Sequence, residues 1–428
     1  MKRYMSPARF IALGFFLIII LGTLLFLLPI SQKVPGSISF TDALFTSTSA
    51  VCVTGLSMFD PGTVLSPFGQ TVLALLIQFG GLGFVCISVG FIMFSGQKLF
   101  IRQRTLVKEA LNYGSLDNIT SLVKSVIFIT LIIESIGALL NFMFFSKVYS
   151  LPKAIGISIF HSVSSFNNAG FDILGNGNSL FSYNGNIYLS LITSFLVIFG
   201  GIGYLVIKEF IFKHKFKKFT LHTKVVLTMT VSLLLLGTIL FKITENYSWL
   251  DSFFMSVSTR TAGFTTVDLS NISNAGYIVY CLFMFIGASP TSTGGGIKTT
   301  TFLIVILSLC SYFSANKPSL FKRTLAKDVL YKAFIIFTMG LTVIFLSLFL
   351  LCLSQPDIAF KDLMFETFSA FGTVGLSTGI TPSLSSVGKY IIIVTMFIGR
   401  LGPLTIASLW MYKKTSHISY SEESVTLG

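Results

Sequence analysis

Charge is scarce in this sequence. Only 11% of its 428 residues are Asp, Glu, Lys or Arg, against about 25% in a soluble globular domain. Histidine occurs four times, as His161, His214, His222 and His417, and these are scattered. Cysteine is confined to Cys52, Cys86, Cys281, Cys310 and Cys352. No pair has the CxxC spacing of a metal or redox site. Their neighbours are apolar, so they read as free thiols acting as small hydrophobes, not as a disulfide framework. No nucleophile sits beside a base. These shortages argue against a soluble domain and leave little for acid–base or metal catalysis.

Apolar residues fill the space. They make up 53% of the chain, with 45 phenylalanines and a mean hydropathy of +0.83. Long apolar stretches recur near 10–30, 68–95, 119–146, 186–212, 225–243, 276–312, 333–354 and 387–412. A helix needs about 20 apolar residues to cross the hydrocarbon core, so these are eight candidate spans, and the longer ones are expected to tilt, kink or break. The first run, Phe10 to Ile30, follows Lys2, Arg3 and Arg9. It is too long for the apolar core of a signal peptide, about 7–15 residues, and reads as a retained helix.

Basic residues collect in alternate loops: Lys98, Arg102, Arg104 and Lys108; then Lys208, Lys213, Lys215, Lys217, Lys218 and Lys224; then Lys317, Lys322, Arg323, Lys327 and Lys332; then Lys413 and Lys414. The positive-inside rule makes that side cytoplasmic, with both termini inside. The net charge of +14 therefore reports topology and contact with anionic lipid, not nucleic-acid binding, for which no reading module is present. The other loops carry Asp42, Asp60, Asp172, Glu245, Asp251, Asp268, Asp357, Asp362 and Glu366. Such a rim attracts cations to an outer mouth or is simply solvated.

Four segments repeat. They are "FTSTSAVCVTGL" from Phe45, "FHSVSSFNNAGF" from Phe160, "FMSVSTRTAGF" from Phe254 and "FETFSAFGTVGL" from Phe365. Each begins with Phe, passes through Ser or Thr, and ends in Gly55, Gly170, Gly263 or Gly375 followed by Leu or Phe. Fixed-order similarity of this kind marks a repeat architecture. The stretch before each glycine, about 10–14 residues, is too short to cross a bilayer and suits a re-entrant half-helix. The expected fold is all-α and integral to the membrane: four helix, half-helix, loop, helix units, eight transmembrane helices in all, with pseudo-fourfold symmetry around one pore. The units are expected at residues 1–110, 111–218, 219–324 and 325–428, the third carrying an intramembrane loop and the fourth a cytoplasmic tail.

A second repeat lies inside the following spans: "FGGLGF" from Phe79, "FGGIGY" from Phe199, "FIGASP" from Phe285 and "FIGRLG" from Phe397. A dinucleotide loop would need a βαβ setting. Close packing or a helix break fits an apolar span better.

Irregular backbone at membrane depth is tolerated where it is buried or lines a cavity. Four glycine loops around one axis would line such a cavity. Carbonyls just before each glycine would replace the water shell of a monovalent cation. A divalent cation would want carboxylates, and the matched positions hold no ring of them. The candidate filter residues are Val53, Thr54 and Gly55; Asn168, Ala169 and Gly170; Thr261, Ala262 and Gly263; and Thr373, Val374 and Gly375.

"TVGL" resembles the potassium-channel filter sequence "TVGYG". Four such units in one chain, with "VTGL", "NNAGF", "RTAGF" and "TVGLS", resemble the Trk/Ktr/HKT superfamily of potassium transporters, and the bare eight-span length resembles its bacterial KtrB-type members. That resemblance implies K+ as the transported ion at the filter residues, with Na+ as an activating or coupled ion, and no cofactor in this chain. It implies a homodimer in the bacterial cell membrane with one pore per protomer, and a cytosolic nucleotide-binding regulatory ring of the KtrA type. Related plant transporters with Ser at the first filter position favour sodium; this chain has Gly55 there.

The sixth span is interrupted by "GASPTSTGGGIKTTT", Gly287 to Thr301. Gly294, Gly295 and Gly296 each cost a helix about 1 kcal/mol against Ala. A phosphate loop would need Gly directly before Lys298, and Ile297 intervenes. The resemblance makes this segment a gate beneath the filter. It also makes Arg400, in the last span, a positive barrier projecting into the pore. From the residues alone, Arg400 could equally pair with backbone carbonyls or with Glu134, the one acid deep in a span. Glu134 reads as a packing or hydrogen-bonding residue, with a proton relay as the alternative, Arg260 as a brace for the third loop, and His161 as a structural hydrogen bonder. The alternatives are a membrane-embedded enzyme acting on a lipid-linked substrate and a scaffold without transport, neither of which accounts for the four repeats.

Overall fold

The computed structural model describes residues 6–409 except 96, 98, 111–118, 176, 178, 214, 315 and 316. Lys2, Arg3, Lys98, His214, Lys413, Lys414, His417 and the expected cytoplasmic tail "SHISYSEESVTLG" lie outside the described residues. The expected all-helical fold is observed. The only strands among the described residues are the short antiparallel pair β1 (Ser319–Leu320) and β2 (Arg323–Thr324).

One order of elements recurs along the chain. The long helix α1 (Pro7–Leu27) leads to the half-length helix α2 (Phe40–Val51), the single turn α3 (Pro61–Val64) and α4 (Pro67–Leu82). From α4 the chain turns by 92° into α5 (Phe84–Phe94), and α6 (Ile101–Ala110) follows. Next come the long α7 (Ile119–Phe145), half-length α8 (Leu151–Phe166), α9 (Ile187–Ile202) and, bent away by 98°, α10 (Tyr204–Phe212). The third set is α11 (Leu221–Glu245), α12 (Trp249–Ser258), α13 (Asn274–Phe285) and α14 (Thr299–Phe313). The fourth is α15 (Lys327–Ser354), α16 (Phe360–Gly372), α17 (Ser386–Leu401) and α18 (Pro403–Ser408).

Among these, α1, α7, α11 and α15 are long and apolar enough to cross a membrane unbroken, and α4–α5 and α9–α10 qualify as bent pairs. The breaking expected of the longer apolar runs is thus a sharp turn at Gly83, Gly203 and Gly402. Their φ values of 76°, 99° and 85° would strain any residue with a Cβ. The run at 276–312 instead opens into a non-helical loop between α13 and α14.

Local chemistry places the helix starts. Ser6 and Ser66 accept from the Arg9 and Gly69 N–H groups, and Pro7 and Pro67 take the first helical positions of α1 and α4, where a missing N–H costs nothing. The half-length helices are buried and polar: Thr46, Ser47, Thr48 and Ser49 are all fully enclosed. The long helices turn leucines such as Leu13, Leu17, Leu21 and Leu24 outward, as a lipid-facing surface requires. Each of the first three half-helices docks through a serine onto a glycine of the preceding long helix. A Cβ on Gly22, Gly137 or Gly237 would fall 2.4, 2.4 or 2.3 Å from Ser47, Ser162 or Ser256 Oγ. These hydroxyls donate to the carbonyls of Ile19 (2.7 Å), Glu134 (2.7 Å) and Leu234 (3.0 Å).

Candidate functional site

Every half-length helix runs directly into one of the glycine turns. The first residue and the glycine of each turn have positive φ: 57° and 100° at Val53 and Gly55, 58° and 69° at Asn168 and Gly170, 74° and 77° at Thr261 and Gly263, 51° and 91° at Thr373 and Gly375. The residue between them, Thr54, Ala169, Ala262 or Val374, is not in that region. The C-terminal ends of α2, α8, α12 and α16 add partial negative charge beside all four turns.

The turns converge. A Cβ built on Gly55 would fall 2.6 Å from the Ala169 carbonyl oxygen, one on Gly170 2.8 Å from that of Ala262, one on Gly263 2.4 Å from that of Val374, and one on Gly375 2.1 Å from that of Thr54. Each glycine therefore lies against the peptide oxygen that precedes the next glycine, and the cycle closes. Nothing larger than hydrogen fits between neighbours.

A matched serine, unassigned in the sequence reading, braces each turn. Ser49 and Ser369 Oγ accept from the Gly55 and Gly375 N–H groups at 3.0 and 3.1 Å. Ser164 Oγ donates to the Phe171 carbonyl at 2.6 Å, and Ser258 Oγ donates to that of Phe264. The signal was present in the constant place of these serines, four residues after each motif phenylalanine. The second glycine repeat also acquires a role. A Cβ on Gly80, Gly200 or Gly399 would fall 2.2, 1.8 or 2.1 Å from the Val51, Phe166 or Phe371 carbonyl oxygen. These glycines let a second helix press against the end of a half-helix.

The 286–298 loop packs against the inner ends of the turns. The Gly295 N–H donates to Thr373 Oγ1 (3.0 Å), and Thr293 Oγ1 lies 3.3 and 3.2 Å from the Phe166 and Gly200 carbonyl oxygens. A Cβ on Gly294 would fall 2.2 Å from Thr261 Oγ1. The loop thus touches the second, third and fourth turns or the helices that lead into them. Gly287 N–H donates to the Ile297 carbonyl (2.8 Å), closing the loop at its neck. Lys298 Nζ donates to the Gly294 carbonyl at 2.6 Å.

Arg400 pairs with carbonyls, not with Glu134. Its guanidinium donates to the Thr293 oxygen on the loop and to the Gly80 and Gly81 oxygens at the end of α4. It ties the loop to the opposite side of the ring. A cavity of about 700 Å³ lies beyond, lined by Gly294, Gly296, Lys298, Arg400, Tyr204 and Lys332 among others and by none of the turn residues.

Glu134 joins three elements. It accepts from Asn167 Nδ2 at 2.9 Å and from Gln78 Nε2 at 3.3 Å, and Asn167 Nδ2 also donates to Gln78 Oε1 at 2.8 Å. The hydrogen-bonding role expected of Glu134 is therefore met, by partners that sequence reasoning missed. Asn167 immediately precedes the second turn, whose Asn168 amide lies 3.1 Å from Thr261 Oγ1 of the third. His161 likewise contacts Thr193 Oγ1, at 2.9 Å. The brace expected of Arg260 is not made through its Nε, which is buried without a hydrogen-bond partner. Asp172 follows Gly170 by two residues. Asp172 keeps some contact with solvent, but desolvation by its surroundings, with help from the nearby Asp60 carboxylate, pushes its pKa up to about 6, although the Leu174 N–H opposes this.

A family model described as TrkH, cation transport protein, matches residues 20–417. This chain belongs to the TrkH family. It is 40% identical over 438 residues to the Ktr system potassium uptake protein B of Bacillus subtilis, an alignment covering 99% of this chain and 97% of that one. It is 37% identical to the potassium/sodium uptake protein NtpJ of Enterococcus hirae, covering 100% of this chain and 98% of that one. The fold is similar to the crystal structure of the potassium transporter TrkH from Vibrio parahaemolyticus. The TM-score is 0.75 at 19% identity, over 96% of this chain and 86% of that one. The TrkH assignment accounts for a multi-pass helical membrane protein of a cation transport family.

Proposed function

We propose that this chain is the potassium-translocating subunit of a bacterial Ktr-type uptake system. The observation that carries the reading is the closed cycle in which each of Gly55, Gly170, Gly263 and Gly375 abuts the peptide oxygen of the next turn. Oxygens set this way around one axis, at the negative ends of four half-helices, replace the hydration shell of a monovalent cation. The 286–298 loop with Lys298 and Arg400 is the gate. In the state described it is latched to the turns, and it withdraws toward the 700 Å³ cavity when a cytosolic nucleotide-binding ring of the KtrA type acts on it. The four units follow the boundaries 1–110, 111–218, 219–324 and 325–428. Two such chains form the homodimer, with both termini cytoplasmic in the plasma membrane. The membrane potential supplies the drive, about 2.3 kcal/mol per charge per 100 mV.

Membership of a transport family and the names of the relatives favour this reading over a lipid-acting enzyme. The test is K+ and Na+ flux into liposomes holding the purified chain, with and without the cytosolic ring. Ring-dependent K+ flux exceeding Na+ flux is expected. Absence of any cation flux, with turnover of a lipid-linked substrate, would overturn it.

A further inference from the structure

Gln78 of α4, Glu134 of α7 and Asn167 at the end of α8 meet in a triangle. Asn167 Nδ2 lies 2.8 Å from Gln78 Oε1 and 2.9 Å from Glu134 Oε1, and Gln78 Nε2 donates to Glu134 Oε2 at 3.3 Å. The Val163 carbonyl, 2.9 Å from Asn167 Nδ2, fixes which way that amide points. Glu134 and Asn167 are buried. Helix packing alone does not require these polar groups. Three residues before the glycine that receives the half-helix serine, α1 and α11 carry Ile19 and Leu234 where α7 carries Glu134. Directly before the second motif phenylalanine, α9, α13 and α17 carry Ile198, Met284 and Met396 where α4 carries Gln78.

The triangle touches two parts of the site at once. Asn167 directly precedes Asn168 of the second turn, and the next carbonyl, that of Ala169, abuts Gly55. Asn167 Oδ1 also covers Gly81, lying 2.0 Å from where a Cβ on that glycine would stand. The Gly80 and Gly81 carbonyls are the seat of the Arg400 guanidinium.

We propose that Gln78, Glu134 and Asn167 are positioning residues that hold the second turn and the Arg400 seat in one register, so that ion selectivity and gate closure are set together. This inference rests on the transport reading above. Hydrogen-bond parity explains why one corner is an acid. Asn167 meets both partners through a single amide atom. Glu134→Gln would make all three corners amides. Whichever way these are turned, the corners at 78 and 134 then oppose nitrogen to nitrogen or oxygen to oxygen. One carboxylate, at either of those two corners, supplies two acceptors and satisfies every contact. A buried network left partly unsatisfied is strained, and here the strain falls on Asn167 and on what it holds.

The test compares the wild type, Glu134→Gln and the double variant Gln78→Glu, Glu134→Gln, each as the full chain in liposomes. It measures the K+ over Na+ permeability ratio and the K+ flux without the cytosolic ring. Glu134→Gln is expected to lower the ratio and to raise the ring-free flux, each about fivefold, the factor that one lost hydrogen bond represents. The double variant keeps the charge and reverses one donor, and it is expected to bring both back to within about twofold of the wild type. Should Glu134→Gln not fold, Gln78→Met takes its place with the same expected shifts, because the third and fourth units carry Met there. A double variant no better than the single one overturns the proposal, and so does a shift in only one of the two properties or in neither. A wild type without cation flux overturns the transport reading and this inference with it. Normal wild-type flux with unshifted variants overturns this inference alone.

Discussion

Lys389 Nζ lies 2.7 Å from Asp42 Oδ1, and this ion pair joins α17, near the end of the chain, to α2, near its beginning. It closes the ring of half-helices at the start of α2, just as Gly375 and Thr54 close it at the turns. Both side chains are partly exposed, at 15% and 25%, so the pair is worth only about 0–1 kcal/mol. Lys389→Met should therefore lower the melting temperature by a few degrees at most. The charge-swapped double variant Asp42→Lys, Lys389→Asp should recover more stability than the two single changes predict. A strictly additive double-mutant cycle would show that the seam holds without this pair.

Gly375 leaves no room for a side chain, because a Cβ would fall 2.1 Å from the Thr54 oxygen. Its φ of 91° adds strain of about 1–3 kcal/mol for any other residue. Gly375→Ser should displace the Thr54 carbonyl and lower the K+ over Na+ permeability ratio at least about tenfold, the factor that 1.4 kcal/mol represents. The check is bi-ionic flux in liposomes with protein shown to be monodisperse. An unchanged ratio would remove the glycine ring from the selectivity argument.

Arg400 and Thr373 latch the loop from two sides. Arg400→Ala removes the guanidinium that holds the Thr293, Gly80 and Gly81 carbonyls. Thr373→Val removes the acceptor of the Gly295 N–H. Hydrogen bonds from a charged group are worth about 1.5–3 kcal/mol each, and neutral ones about 1. Flux without the cytosolic ring should rise at least about tenfold in Arg400→Ala and by a smaller factor in Thr373→Val. Stopped-flow uptake of a potassium surrogate measures both. Equal ring dependence in wild type and Arg400→Ala would mean that this loop is not the latch.

Asp172 binds its proton more tightly in the folded chain than in the unfolded one. Its pKa rises from the ordinary 3.8 to about 6, chiefly through desolvation. The folded state then holds more protons between these values, so stability falls as pH rises through that window. The wild-type melting temperature should drop between about pH 4 and pH 6, and Asp172→Asn should flatten this part of the profile. A scan of the two proteins from pH 4 to 8 decides it, and parallel curves would count against Asp172 as the titrating group.

The sequence showed the turns because the same order of residues recurs four times, and repetition needs no knowledge of contacts. The loop at Gly294–Gly296 was legible for a different reason, since consecutive glycines cannot sustain a helix inside an apolar span. Side-chain partners were not legible. Glu134 meets Gln78 and Asn167 across 56 and 33 residues, and Arg400 meets Thr293 and Gly80 across 107 and 320. Such pairings depend on how helices approach, which local pattern does not encode. Arg260 directly precedes Thr261 in the sequence, but its lack of a partner at Nε was not legible, because Nε is enclosed by packing that only the folded chain creates.

Three of the second helices bend at a single glycine, Gly83, Gly203 or Gly402, and the third set alone opens into a loop. Four identical subunits around an axis would have to carry that loop four times, and four copies would crowd the same small space. One polypeptide escapes this restriction, because each quadrant can vary independently. In the gate proposed above, a single quadrant is the moving part and the other three are its fixed seat.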